Sequence, residues 1–350
     1  MIDIALKGLG TALPLHRLSQ SDAFTLAHDM FHDRFPDFDR LAPVFTNAGI
    51  ESRAIAMPLD WYLEPRGWEE RNAAYIDAAG RLFAEAAGNA LAAAGVAAAD
   101  IDAIVTVSST GIATPSLEAR AAGELSFRPD VLRVPVFGLG CAGGLSGLAL
   151  GVQLARANPG GRILVVAVEL CTLSFHKDTL TKANIVASAL FADGAAAAVL
   201  TAAQPGDRHI VGAGSQHTWP ATLRIMGWDV TSDGLEVVFD RDIPPFIRRE
   251  ISLVVHGFLE RLFLTREDIV RFGFHPGGTK VLEALEAALE IEPGSLDTER
   301  EVLRDHGNMS APTVLFVLER LLASPSDGIH LMSALGPGFS AVAVPVTVRS

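Results

Sequence analysis

The sequence predicts an α/β protein in which one unit occurs twice, over residues 1–205 and 206–350. Three observations predict it. From residue 97 onward, short apolar strands alternate with helical stretches, the pattern of βαβ units around a parallel or mixed sheet. The landmarks then repeat: Cys141 follows the strand-end residue Ser109 by 32 positions, and Asn308 follows the strand-end residue His275 by 33. After each come a helix, a turn containing Pro and Gly, and a strand. Finally, 350 residues at 49% hydrophobic and 20% charged are enough for two such units with a large shared core.

The chain opens with a strand over 2–13. Ser19 and Ser21 are caps for a helix reaching residue 31. A short helix over 38–48 closes at Gly49, and 50–57 is extended. A long helix over 68–94 stops at Gly95. The regular alternation follows: strand 102–109, a polar loop at 108–111, helix 116–125, then strand 131–137. Gly138 and Gly140 turn that strand into a small-residue helix that starts at Cys141. A turn at 158–161, strand 163–170, helix 184–191 and strand 195–201 complete the first half. Residues 202–241 are irregular and contain the boundary. The second half reads as helix 243–262, strand 269–274, turn 275–278, helix 280–289, helix 300–305, and a turn at 307–310. It ends with helix 311–322, turn 325–328, strand 329–334, loop 336–338 and strand 339–348.

Composition narrows the function. A net charge of −13 argues against a nucleic-acid partner. Two cysteines, Cys141 and Cys171, make neither a disulfide framework nor a four-cysteine zinc site, and fit a reduced, cytoplasmic setting. The histidines show no ligand spacing, so no metal is expected. No charged leader or membrane-length apolar run is present, which predicts no integral membrane segment.

The chemistry centres on Cys141. A thiol at the start of a helix meets unpaired N–H groups and a partial positive charge, which favour the thiolate nucleophile. A small buried cysteine in a Gly/Ala-packed helix fits the same residues. His275, before Pro-Gly-Gly, reads either as a turn residue or as a donor to an oxyanion. Asn308, after Gly307, reads on its own as a helix cap. If the two copies pack about a pseudo-twofold axis, the three converge. Together they make an acyl-transfer site: the thiol takes the acyl group of a thioester. His275 and Asn308 then stabilise the enolate formed when a malonyl thioester loses carbon dioxide.

Four motifs in order carry a resemblance: Gly140-Cys141-Ala-Gly-Gly144, His275-Pro-Gly-Gly278, Gly307-Asn308-Met-Ser310 and Gly336-Pro337-Gly338. Over nearly the whole chain the sequence resembles the type III polyketide synthases, the chalcone synthase-like family. The resemblance implies the thiolase fold, duplicated halves in layers αβαβα, and a homodimer. It implies acyl-CoA and malonyl-CoA as substrates and no cofactor, with an acyl carrier protein as an alternative acyl donor. It makes Phe191 the gatekeeper between CoA tunnel and cavity. Glu169, Cys171 and Ser174 become cavity residues, with Ser109, Thr110, Ser310 and the 336–338 loop around them. A second aromatic expected after Gly234-Leu235 is Val237 here. Phe239, two residues on, replaces it only with a shift of register. Of the basic residues expected at the CoA phosphates, Arg53 alone survives. The segment Arg224-Ile-Met-Gly-Trp-Asp-Val230 is similar to that of bacterial members making alkylresorcinols and alkylpyrones. With Val237 leaving room, the expected starter is a long fatty acyl group. The competing expectations are a single-condensation ketoacyl-carrier-protein synthase III, which has His-Gln-Ala-Asn where this chain has His275-Pro-Gly-Gly, and a catalytically silent scaffold of the same fold.

Overall fold

The computed structural model describes residues 2–240, 242–324 and 326–349. Pro325, at the head of the turn expected over 325–328, lies outside them. The strand Ala103–Val107 lies between Leu132–Val136 and Ile163–Leu170 and is parallel to both. Asp193–Ala202 and Ile4–Ala12 continue this arm antiparallel. In the second arm Ile269–Phe274 runs parallel to Gly328–Gly336, and Ser340–Val348 follows antiparallel. The short strand His209–Val211 pairs with both Ile4–Ala12 and Ser340–Val348 and joins the arms into one ten-stranded sheet.

Period-two alternation sorts the side chains into layers. Val105, Val107, Val165, Ala167, Ala196 and Ala198 of the first arm share a core with Met332, Ala334, Val342, Val344 and Val346 of the second. The helices Gly143–Ala157 and Thr313–Ala323 fill the space between them, buried on nearly every side. The alternate residues, Ile104, Leu164, Val166, Ala195, Ala197 and Val199, face outward onto Trp68–Ala94. Leu331, Ala341 and Ala343 face outward from the second arm onto Ile243–Leu262 and Thr279–Ala288. The layers are therefore helix, sheet, helix, sheet, helix. Each fully buried Val, Leu or Ile contributes about 1.5–3 kcal/mol, so this double-sided burial is what holds the arms face to face.

The arrangement sets the site. In the first arm the carboxyl ends of three parallel strands lead into Ser108–Thr110, Phe137–Cys141 and Cys171. In the second, the parallel pair ends at His275 and Pro337. Ligands of α/β sheets gather at such carboxyl ends.

One expectation needed correction. The irregular 202–241 contains strands at His209–Val211 and Ser215–Thr218 and a hairpin of Met226–Val230 with Leu235–Phe239. These strands are short and rich in Gly and polar residues, so their alternation was too brief to read. The extended 50–57 is found as expected, its residues Ser52–Ile55 forming a strand that pairs with His16–Ser19.

Candidate active site

Gly138 and Gly140, at φ +88° and +46°, turn the strand Leu132–Val136 into a single 3-10 turn, Gly140–Ala142, that precedes the helix Gly143–Ala157. Glycine is required at 140 twice over. The positive φ disfavours a side chain, and a Cβ would lie 2.8 Å from Cδ of Pro337. At Gly336 a Cβ would meet the Leu139 carbonyl oxygen at 2.6 Å. The 336–338 loop therefore lies directly on the cysteine turn. From the other side the Ser109 hydroxyl accepts the N–H of Gly138 at 3.1 Å and of Gly140 at 3.4 Å.

Glu169 is fully buried beside this turn. Its Oε2 accepts the Ser109 N–H at 2.9 Å and the Thr110 hydroxyl at 2.8 Å, while Oε1 has no hydrogen-bond partner. Burial pushes its carboxyl up to about 8, so near neutrality it is mostly protonated and able to donate.

The second arm supplies a linked pair. Asn308 Nδ2 donates to the Gly277 carbonyl at 3.3 Å, two residues from His275. Asn308 Oδ1 accepts the Ser310 N–H at 2.9 Å, and the Ser310 hydroxyl lies against the Cys141 thiol. The path Cys141, Ser310, Asn308, Gly277, His275 is thus continuous. Ser310 thus links Asn308 to Cys141 across the two halves, and His275 stands two residues along the chain from the Gly277 carbonyl. His275 is buried, and neither ring nitrogen has a hydrogen-bond partner among the described residues. A buried imidazole with two open positions is costly unless something else uses them.

The electrostatics differ from the expectation of an eased thiolate. Burial pushes Cys141 up to about 11; the Ser310 hydroxyl opposes this and the Glu169 carboxylate adds to it. Burial alone pulls His275 down to about 3. In both groups desolvation is the largest cause and favours the uncharged form.

Beside this polar cluster lies a cavity of about 660 Å³, part of it open to solvent. Cys171, Ser174 and Phe191 line it, as does Arg53. Phe191 connects the two regions. The N–H of Asn308 donates to the Leu190 carbonyl and that of Ala192 to the Asn308 carbonyl, both at 2.9 Å.

Val237 does not line that cavity. Its cross-strand partner Trp228 and its same-face neighbour Phe239 place their rings 5.8 and 5.5 Å from Phe191. Phe239 lies on the same strand face as Val237, because residues two apart on a strand share a face, and neither residue lines the cavity. Val237 packs with these two rings against Cys171, Ala187 and Phe191. Arg53 also departs from expectation. It is 1% exposed, and its guanidinium donates to the carbonyls of Ser188 and Phe191 and to Gln20 Oε1. It braces the Phe191 loop from inside and does not face solvent to meet a CoA phosphate.

The comparisons with known proteins agree with this geometry. The family pattern "Chalcone and stilbene synthases, N-terminal domain" matches residues 64–205, and its C-terminal counterpart matches 210–339. The chain belongs to the type III polyketide synthases. A "1,3,6,8-tetrahydroxynaphthalene synthase" of Streptomyces peucetius is 40% identical over 95% of this chain and 89% of its own. An "Alpha-pyrone synthesis polyketide synthase-like" protein of Mycobacterium tuberculosis is 28% identical over 95% and 88%. The crystal structure of 1,3,6,8-tetrahydroxynaphthalene synthase from Streptomyces coelicolor superimposes with a TM-score of 0.93 at 26% identity, covering 99% of both chains. Members of this family use CoA-linked substrates and catalyse decarboxylative condensation of malonyl-CoA, so this synthase is an acyltransferase. Among its described residues no helix is long and apolar enough to cross a membrane.

Sequence reasoning missed two buried acids in the synthase. Glu299 accepts the N–H of Phe274, next to His275, at 3.1 Å, and sits on the helix Asp297–His306 that leads to Asn308. Asp193 accepts the N–H groups of Ala56 at 2.6 Å and Thr172 at 2.8 Å, and fixes the chain two residues after Phe191. The only available signal for Glu299 was position. It is an acid lying one turn before the apolar pair Val302 and Leu303 on a charged helix.

Proposed function

We propose that the synthase loads a long-chain fatty acyl-CoA on Cys141, extends it with malonyl-CoA and closes the product as an alkylpyrone or alkylresorcinol. In this reading His275 and Asn308 donate to the thioester oxygen and to the enolate left by decarboxylation. Removing one such donor typically costs about 10²–10³ in rate. Glu169 and Ser310 stand where a proton or a water would be held during ring closure. The halves 1–205 and 206–350 each contribute to the catalytic cluster, Cys141 from the first and His275, Asn308 and Ser310 from the second, and a homodimer is the working assembly.

One observation carries the starter assignment: the cavity beside Cys171 and Phe191 is apolar. Leu18, Leu26, Ile55, Leu59, Leu63 and Phe175 contribute to its walls. Its polar groups are mostly engaged. The Tyr62 hydroxyl pairs with Thr172 at 2.6 Å, and the Asn184 amide donates to the carbonyls of His176 and Thr179. Arg53 Nε is the exception. Such walls gain about 0.8 kcal/mol per buried methylene and offer little to orient a phenol.

A second reading is favoured by the names of two relatives: folding of a malonyl-derived chain into a hydroxynaphthalene. One experiment separates them. The synthase is incubated with malonyl-CoA alone, and with malonyl-CoA plus lauroyl-, palmitoyl- and 4-coumaroyl-CoA in equal amounts, and products are identified by mass spectrometry. The proposal expects aliphatic products to dominate. A hydroxynaphthalene from malonyl-CoA alone, or a preference for coumaroyl-CoA, would overturn it.

A further inference from the structure

We propose that the N-terminal helix Gln20–Phe31 is the length gauge of the acyl site, its inner stripe forming the wall that the starter's tail reaches. The inference rests on the fatty-starter reading and adds the residues that set the limit.

The helix is anchored at both ends and meets the cavity between them. At its start the Ser19 hydroxyl accepts the Asp22 N–H at 3.0 Å. At its end Phe31 is fully buried in a cluster with Phe38, Phe45, Ile185 and Ala189. Between these anchors Ala23, Leu26, Ala27 and Met30 line the cavity. Their spacing, i, i+3, i+4 and i+7, is one continuous face of a helix, roughly 10 Å long at 1.5 Å per residue. Two of the four are alanines one turn apart. Had they been leucines, part of the space they border would be filled by side chain. Met30 is the most adaptable of the four, being unbranched with a flexible thioether.

The wall is also fixed relative to the reacting end. Gln20 Nε2 donates to the Phe45 carbonyl at 2.8 Å and the Ala189 carbonyl at 3.1 Å, and its Oε1 accepts from Arg53. Arg53 Nη1 in turn donates to the Phe191 carbonyl at 3.2 Å, and the peptide groups flanking Phe191 pair with Asn308. The distance from catalytic loop to helix is thereby held by side-chain and backbone hydrogen bonds. A gauge needs this, since a wall free to drift would not select a chain length.

The test is a ladder of saturated starters from butanoyl- to stearoyl-CoA, with kcat/KM measured for each on the full-length wild type, Ala23→Phe and Met30→Ala. Ala23→Phe fills the stripe, so the ratio of palmitoyl to butanoyl kcat/KM falls by about tenfold or more, given about fourfold per methylene. Met30→Ala opens it and moves the optimum toward longer chains. If Ala23→Phe loses all activity through misfolding, Met30→Ala decides alone. A wild type that uses long starters while Met30→Ala keeps the same profile overturns the gauge and leaves the fatty-starter reading standing. A wild type that turns over only butanoyl- and hexanoyl-CoA overturns both.

Discussion

The cluster at Cys141 and the cavity beside it touch through Phe191, yet they are built on opposite principles. The cluster is close-packed and polar. Glycines at 140 and 336 let three loops meet where any Cβ would collide, and Ser109, Thr110 and Ser310 tie the loops together. The cavity is open and apolar, assembled from residues as far apart as Leu18 and Phe191. The difference separates two tasks. The reacting atoms need fixed donors in a dry site, whereas a starter tail needs space of the right length.

Substitutions in the cluster should act on chemistry at every chain length. Cys141→Ala removes the nucleophile and should abolish polyketide product while leaving the circular dichroism melt near wild type, because little packing is lost. Malonyl-CoA decarboxylation should survive, since His275 and Asn308 remain. Full synthesis by this variant would remove the covalent mechanism. His275→Ala and Asn308→Ala should each lower decarboxylation and condensation by about 10²–10³. The effect should be uniform across starter lengths, as measured by carbon dioxide release and product yield. An Asn308→Ala enzyme with wild-type rates would reduce Asn308 to a turn residue.

Glu299 offers a smaller effect, visible in pH. Burial pushes its carboxyl up to about 7, with the Phe274 N–H and Arg271 opposing. A raised carboxyl stabilises the folded state below its unfolded value, near 4.5, and loses that contribution as pH rises through about 7. Glu299→Gln keeps an acceptor for Phe274 and removes the charge. Relative to wild type its melting temperature should therefore rise between pH 5 and pH 8, by the equivalent of up to about 3 kcal/mol. A difference between the two that does not change with pH would contradict the assignment. Least of all, Val237→Phe should leave the starter-length profile within about twofold, a shift well under 1 kcal/mol, because Val237 does not line the cavity and Trp228 and Phe239 already pack their rings on Phe191. A profile shortened by several carbons would show that Val237 borders the tail after all.

The same division explains what could be read without coordinates. The four motifs were legible because each joins a chemical residue to glycines that only a tight approach requires. The matched spacing of Cys141 and Asn308 made their convergence predictable. The α/β class was legible from strand and helix alternation, since double-sided burial demands near-continuous apolar strands, whereas the layering came from the family resemblance. The cavity was not, because Ala23, Leu26 and Met30 read as an ordinary amphipathic helix until the partner face is known. Arg53 was misread for a related reason. An arginine beside a turn gives no sign in sequence that Gln20, Ser188 and Phe191 will enclose it.

The central claim is that Cys141 carries the acyl chain while the neighbouring cavity holds its tail. Intact-protein mass spectrometry with peptide mapping tests it most directly, on enzyme mixed with equal lauroyl-CoA and 4-coumaroyl-CoA and no malonyl-CoA. The account predicts a single lauroyl adduct on the peptide containing Cys141, absent from Cys141→Ala. A coumaroyl adduct in excess, or acylation of Cys171 in its place, would contradict it.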